Sequence, residues 1–204
     1  YLCDWTFATL YSLHLKPQGS SYKAETRTFL TNTKGSLSLT DIDIGKDGHM
    51  YFCVGGRKQQ SYLYRVRYVG SNTTALSPLD TTSVHAQARK VRHMLESYHG
   101  KENPDAVEVA WPYLKSSDYH LRYAARIALE WQNPKNWANQ AYKESNDLVA
   151  IHALLGLARC DFEQSMWPSI ERLLRVDWSK LTISGRLALL RTYSVIMSRS
   201  GKPN

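Results

Sequence analysis

Two spacings of hydrophobic residues divide this chain. Up to about Ala75 apolar and polar positions alternate as in strands, and from about Ser83 they recur every three to four residues as in helices. In the first part, Leu10-Tyr11-Ser12-Leu13-His14-Leu15 alternates and closes on Lys16-Pro17-Gln18-Gly19, a turn signal. A more polar run follows over 22–30, and Leu39–Ile44 is a third, with Leu39, Ile42 and Ile44 apolar. Gly45-Lys46-Asp47-Gly48 predicts a hairpin turn, because Asp-Gly accepts the positive φ that tight turns need. Met50-Tyr51-Phe52-Cys53-Val54 is nearly continuous in apolar character, which predicts the most buried strand of the set, covered on both faces. Gly55-Gly56 ends it, and 61–69 is the last run, bounded by Gly70-Ser71-Asn72.

From Ser83 the helical spacing takes over. A helix over 84–98 carries Val84, Ala88, Val91 and Leu95 on one stripe. Pro104-Asp105 opens the next, over 106–114, which Pro112 should kink or end early. Asp118 caps another, with Leu121, Ala124, Ala125, Ala128 and Leu129 as its apolar set. Pro134 starts a short helix to about Lys143, and Asp147 is expected to cap a helix carrying Ala150, Ala153, Leu154, Leu157 and Ala158. Helices over 162–174 and 183–197 complete the series, and 76–82 lacks periodicity and reads as a linker.

The helical part repeats. Asp118-Tyr119-His120-Leu121-Arg122-Tyr123-Ala124-Ala125 matches Asp147-Leu148-Val149-Ala150-Ile151-His152-Ala153-Leu154 in pattern at an offset of 29 residues, and 183–197 follows it loosely one unit on. Helix pairs recurring at ~30–45 residues mark an α-solenoid. Small residues at Ala124, Ala125, Ala128, Ala153, Gly156 and Ala158 allow close helix approach. An ordinary helical bundle is the alternative. The fold class is therefore mixed: antiparallel β over 1–75, then an all-α array over 83–204.

Composition narrows function mostly by exclusion. With 204 residues, 43% hydrophobic and 22% charged, the chain has enough apolar material for a core. No run approaches the ~18 apolar residues of a membrane span. The chain begins at Tyr1, inside a strand-like run, and is read as a fragment or a processed chain. The net charge of +8 is scattered through both halves. Its densest cluster, Arg89, Lys90, Arg92 and His93, reads as a solvated helix face, and no zinc-finger or RNA-binding motif points to nucleic acid. Cys3, Cys53 and Cys160 form no C-x-x-C pair and read as buried free thiols, with a Cys3–Cys53 disulfide open if their strands adjoin. The histidines His14, His49, His85, His93, His99, His120 and His152 form no motif and read as surface or packing residues; no metal site is expected. Asn72-Thr73-Thr74 is a glycosylation sequon by pattern only.

Leu39-Thr40-Asp41-Ile42-Asp43-Ile44-Gly45-Lys46-Asp47-Gly48-His49-Met50-Tyr51-Phe52, with Gly55-Gly56-Arg57 and Leu63-Tyr64-Arg65-Val66, resembles the strand–DG–strand unit of β-propellers of the soluble glucose/sorbosone dehydrogenase type. The order of the whole chain resembles part of the multidomain "membrane-bound dehydrogenase" proteins common in planctomycetes. Those join such a propeller to HEAT-like (armadillo-type) repeats and a c-type cytochrome. The resemblance implies a partial propeller of two incomplete blades over 1–75: the last three strands of one blade in 1–31 and the first three of the next in 37–69. It implies a parent that is a quinoprotein-type oxidoreductase acting on a carbohydrate or alcohol, exported or periplasmic. The parent would use pyrroloquinoline quinone (PQQ) and calcium, with haem c only outside this chain, since no C-x-x-C-H occurs. The implied partners are the remaining blades and the cytochrome domain, or a protein bound along the helical repeats.

Carried onto this sequence, the propeller's channel-lining loops correspond to Asp4, Trp5, Asp41 and Arg57. The Arg57 guanidinium, freed by two preceding glycines, can pair bidentately with the carboxylates of a quinone. Asp41 can orient a sugar hydroxyl or bind calcium. The plainer alternatives are that Asp41 and Arg57 stabilise a blade and that Trp5 is a core residue. A few strands cannot close a propeller, so the chain alone is expected to be inactive, and a non-catalytic interaction module is the competing reading.

Overall fold

A computed structural model describes residues 1–33, 37–73, 75 and 77–200. It divides the chain into two compact units, one of Tyr1–Gln18 with Tyr22–Asp80 and one of Gly19–Ser21 with Thr81–Asn204.

The first unit is all β. Strands β1 (Leu2–Asp4), β2 (Thr9–Gln18) and β3 (Ser21–Thr31) form one three-stranded sheet in that order. Strand β2 runs straight through Lys16-Pro17-Gln18, where the sequence predicts a turn, and the chain reverses at Gly19, whose φ is +54°. Proline is tolerated there because β1 pairs only with Thr9, Leu10 and Tyr11, which leaves Pro17 on an edge-like stretch. Strands β4 (Leu39–Ile44), β5 (Met50–Val54) and β6 (Tyr62–Val66) form the second sheet, antiparallel and again in sequence order. The 45–48 turn closes as expected, with Gly48 at φ +78° and the Gly45 N–H donating to the His49 carbonyl at 2.8 Å.

Met50, Phe52 and Val54 are buried with Leu10, Leu37 and Leu39 in this unit's core. Strand β5 is the most buried of the six, but on one face only, since Cys53 on the other face is exposed. A single sheet with one covered face produces alternation, not the two-sided burial its apolar run suggests. Strand β6 stops at Val66, short of 69. The described residues form no closed barrel or propeller. In the expected linker, Leu76 lies outside the described residues, as does Thr74 of the sequon, and 77–82 carry no helix or strand.

The second unit is all α. Helix α1 (Val84–Glu96) is capped by Ser83, whose hydroxyl accepts the Ala86 N–H. Helix α2 (Ala106–Ala110) passes into a 3-10 turn over Trp111–Lys115, the early end that Pro112 predicts. Asp118 caps α3 (Tyr119–Glu130), accepting the His120 N–H at 2.8 Å and the Leu121 N–H at 3.3 Å. A 3-10 turn over Pro134–Asn136 leads into α4 (Ala138–Lys143), and then come α5 (Asp147–Cys160), α6 (Phe162–Leu173) and α7 (Ile183–Arg199).

The cap of α5 is Asn146, not Asp147: the Asn146 side chain accepts the Leu148 and Val149 N–H groups. Both residue types cap well, but the Asp147 carboxylate is engaged by buried Arg172 at 2.8 Å. The same guanidinium donates twice to the Glu144 carbonyl, at 3.0 and 2.8 Å, clamping α6 to the start of α5.

Helix α5 is buried nearly all round, from Val149 to Ala158, and is packed by α3, α4, α6 and α7. Ala124, Ala125, Ala128 and Leu129 of α3, and Ala153, Leu154, Leu157 and Ala158 of α5, are each at most 2% exposed, so the core positions recur at the spacing read from sequence. Among the basic cluster, Arg89 is buried and not solvated, while Arg92 and His93 both pair with Glu96 at 3.1 Å. All three cysteines are free, but Cys53 and Cys160 are exposed, because one falls on the open face of β5 and the other in the last turn of α5. Among the described residues no helix is long and apolar enough to cross a membrane.

Two substitutions separate close packing from mere burial. Ala125→Glu places volume and an unpaired charge at a fully buried site and should destabilise the helical unit by about 3 kcal/mol or more. Gly156→Ala should be neutral or stabilising by up to ~1 kcal/mol, because its new Cβ would sit 3.4 Å from the Trp137 ring, an ordinary contact, while helix propensity improves. Thermal unfolding followed by far-UV circular dichroism checks both signs.

Candidate functional site

The four residues singled out by the resemblance lie at one end of the β unit. Asp4 closes β1, and its Oδ1 accepts the N–H groups of Thr6 at 3.0 Å and Phe7 at 2.9 Å. Trp5 is not a core residue: it is 56% exposed, and its indole N–H donates to the Gly55 carbonyl at 3.3 Å. Its ring lies close to Gly56, next to exposed Arg57. Asp41 is opposite Cys53 at the bulge in β4, and its Oδ1 accepts the Ile42 N–H. Strand β4, which carries Asp41, contacts β1, and burial, and after it the charge of Asp41, push the Cys3 thiol above the ordinary range. Asp4 and Asp41 thus each spend an oxygen on local backbone. Among the described residues no group of three or more His, Cys, Asp and Glu is placed to hold a metal ion.

A better-formed concavity lies within the helical unit, a groove of about 380 Å³ between α3, α5 and α7. Helix α3 supplies Tyr119, Arg122, Tyr123 and Arg126, which share one face because they stand at i, i+3, i+4 and i+7. Helix α5 supplies His152 and Leu155, and α7 supplies Leu187, Ala188 and Arg191 with Ser184 at its start. The Tyr119 and Tyr123 rings stack at 6.1 Å, and the Arg126 guanidinium sits 5.1 Å from the centre of the Tyr123 ring.

The charges in the groove are all of one sign. Arg126, 7% exposed, is paired with Glu130, which also takes Arg159 at 3.0 Å. Arg122 donates through Nη1 to the Ser116 carbonyl, and its Nε is buried without a partner among the described residues. Arg191 is exposed and makes no ion pair among the described residues. Among the described residues no carboxylate lines the groove. Burial first, then the neighbouring charges of Arg122 and Arg126, depress the His152 pKa to about 4, so the imidazole is neutral near pH 7. A base that weak, with no hydrogen bond to Ser184 among the described residues, does not activate that hydroxyl. The arrangement suits holding an anion against an apolar wall: unneutralised guanidinium groups in a partly desolvated concavity gain by meeting one.

None of these groove residues emerges from motif reading. The available signal was the Tyr119, Arg122, Tyr123, Arg126 stripe, which looks like any solvated helix face until Arg191 and His152 are brought opposite it. No protein-family model matches the sequence, and no curated protein and no solved structure matches it.

The buried imidazole gives a pH signature. A depressed folded-state pKa means the unfolded chain binds the proton more readily between pH 6.5 and about 4. Stability from this group is complete above pH 6.5 and falls as pH drops through that window, by roughly 3 kcal/mol in all. Denaturant unfolding from pH 7.5 to 4 should show that loss in the wild type and a shallower one in His152→Gln, and ¹H NMR should find the His152 imidazole neutral at pH 5.

Proposed function

We propose that this chain is a non-catalytic recognition module whose helical unit, a HEAT-like array of helix pairs, binds an acidic segment of a partner protein in the groove between α3, α5 and α7. The observation that carries the reading is the convergence of Arg122, Arg126 and Arg191 on a concave surface that no carboxylate lines among the described residues. The recurrence of buried small and aliphatic positions in α3 and α5 supports the repeat assignment. A polypeptide suits the site better than a free ion, because Ile183, Leu187 and Leu190 form an exposed apolar row on α7 at and beside the groove. A partner segment with acidic and apolar residues would cover both features. In fluorescence anisotropy, acidic peptides with interspersed leucines should bind and their lysine-substituted counterparts should not. Affinity should fall about tenfold or more when salt is raised from about 50 to 300 mM, and Arg191→Glu should abolish binding without changing the melting temperature.

A second reading concerns the β unit. We propose that it is a piece of a propeller of the quinone-dependent sugar or alcohol dehydrogenase type, completed by other blades of a longer polypeptide. Support comes from the two meanders β1-β2-β3 and β4-β5-β6, from contact between β1 and β4, and from the shared end that holds Asp4, Trp5, Asp41 and Arg57. Strand β6, an edge that exposes Tyr62, Leu63 and Tyr64, suits covering by a neighbouring blade. On this reading PQQ and calcium belong to the assembled parent. Positioning by loops of many blades can be worth ~7–11 kcal/mol of barrier, and two incomplete blades forfeit it. The chain alone, given PQQ and calcium, should therefore show no dye-linked oxidation of glucose or simple alcohols. Turnover that Arg57→Ala removes would overturn this reading.

A further inference from the structure

The groove has a definite charge deficit, and counting it narrows the ligand. Of its three guanidinium groups, Arg126 is matched by Glu130, a carboxylate only 12% exposed on its side chain. Arg159, which shares that carboxylate, does not line the groove. Among the described residues Arg122 has a hydrogen bond to a backbone carbonyl but no counter-charge, and its Nε is buried and unpartnered. Arg191 lacks a counter-charge among the described residues. His152 contributes an N–H or a lone pair but no charge near neutral pH, because burial and the two arginines of α3 keep it unprotonated. Two positive charges are left over among the described residues, Arg122 on α3 and Arg191 on α7, both lining the groove.

We propose that the groove recognises a dianionic phosphate monoester on an aromatic side chain of the partner segment, held between Arg122 and Arg191. The inference rests on the recognition reading given above and specifies its ligand. A phosphate monoester carries about −1.5 to −2 charges near pH 7 and three acceptor oxygens, whereas a single carboxylate carries −1 and two. The dianion matches the two-charge deficit and offers three acceptor oxygens to the guanidinium groups that line the groove. The carrier is aromatic because the walls beside the arginines are Tyr119, Tyr123, Leu155 and Leu187, faces against which a ring can stack.

The test compares ligands of equal shape and different charge. Peptides with a fixed central phosphotyrosine and degenerate flanks are measured by anisotropy beside the same set carrying sulfotyrosine, which is tetrahedral but monoanionic, and beside phosphoserine, glutamate and unmodified tyrosine sets. Phenyl phosphate is the small-molecule arm. The expected result is phosphotyrosine binding at least tenfold tighter than sulfotyrosine, glutamate or phosphoserine, and tighter than phenyl phosphate. Arg122→Gln and Arg191→Gln should each weaken it about tenfold or more and shrink the phosphate-over-sulfate preference. Arg191→Gln, at an exposed position, keeps the test valid if Arg122→Gln unfolds. Equal binding of phosphate and sulfate peptides overturns the dianion and leaves the recognition reading standing. Phosphoserine equal to phosphotyrosine overturns the aromatic carrier, and phenyl phosphate equal to the phosphopeptide overturns the peptide source. Failure of every anionic peptide to bind overturns both the inference and the reading beneath it.

Discussion

Helix α5 has almost no polar face, and the helical unit is organised by that constraint. A helix that is apolar all round must be enclosed, and α3, α4, α6 and α7 enclose it. Close enclosure is met by small residues at the contacts: Ala124, Ala125 and Ala128 on α3, and Ala153, Gly156 and Ala158 on α5. The polar devices of the unit serve the same end. Arg172 holds the start of α5 through Glu144 and Asp147, and Gln132, itself buried, ties the loop before α2 to the end of α3 through the Asn103 N–H and the Lys101 and Ala128 oxygens.

The groove is a by-product of that packing. Close approach of α3 and α7 to α5 leaves their outer edges facing each other, and long basic side chains on those edges must share the space. His152 is the polar interruption in the buried run of α5, and it sits where the groove begins. An imidazole there accommodates nearby guanidinium groups by staying neutral, where a lysine would add to the repulsion and an aspartate would fill the site with a permanent counter-ion. The core thereby fixes the spacing of charges that its own energetics would not favour, a common origin for binding sites.

Much of this was legible in the sequence because local rules coincide with the tertiary outcome. The change of period near Ala75, the Asp-Gly turn, the break at Pro112 and the cap at Asp118 each depend on a few neighbouring residues. What escaped depended on neighbours distant in sequence. Pro17 was misread as a turn because nothing local tells how far β1 extends along β2. Asp147 was misread as a cap because its partner, Arg172, lies on another helix. Cys53 was misread as buried because one apolar run looks the same whether one or both faces of its sheet are covered. The groove escaped for the same reason: an arginine on a helix face is unremarkable until a second, unneutralised arginine stands opposite it. Asp4, Trp5, Asp41 and Arg57 were placed by resemblance, and although they share one end of the β unit, two of them are occupied by local hydrogen bonds.

The proposed anion receptor is the pair Arg122 and Arg191, whose charges are unmatched among the described residues. The most direct measurement is a ¹H–¹⁵N NMR titration of the arginine side-chain Nε–H signals with an acidic peptide. The expected result is that the signals of Arg122 and Arg191 shift together and saturate at one dissociation constant, with Arg122 moving most, while that of Arg172 stays fixed. Shifts spread evenly over exposed arginines, with Arg122 unmoved, would contradict it.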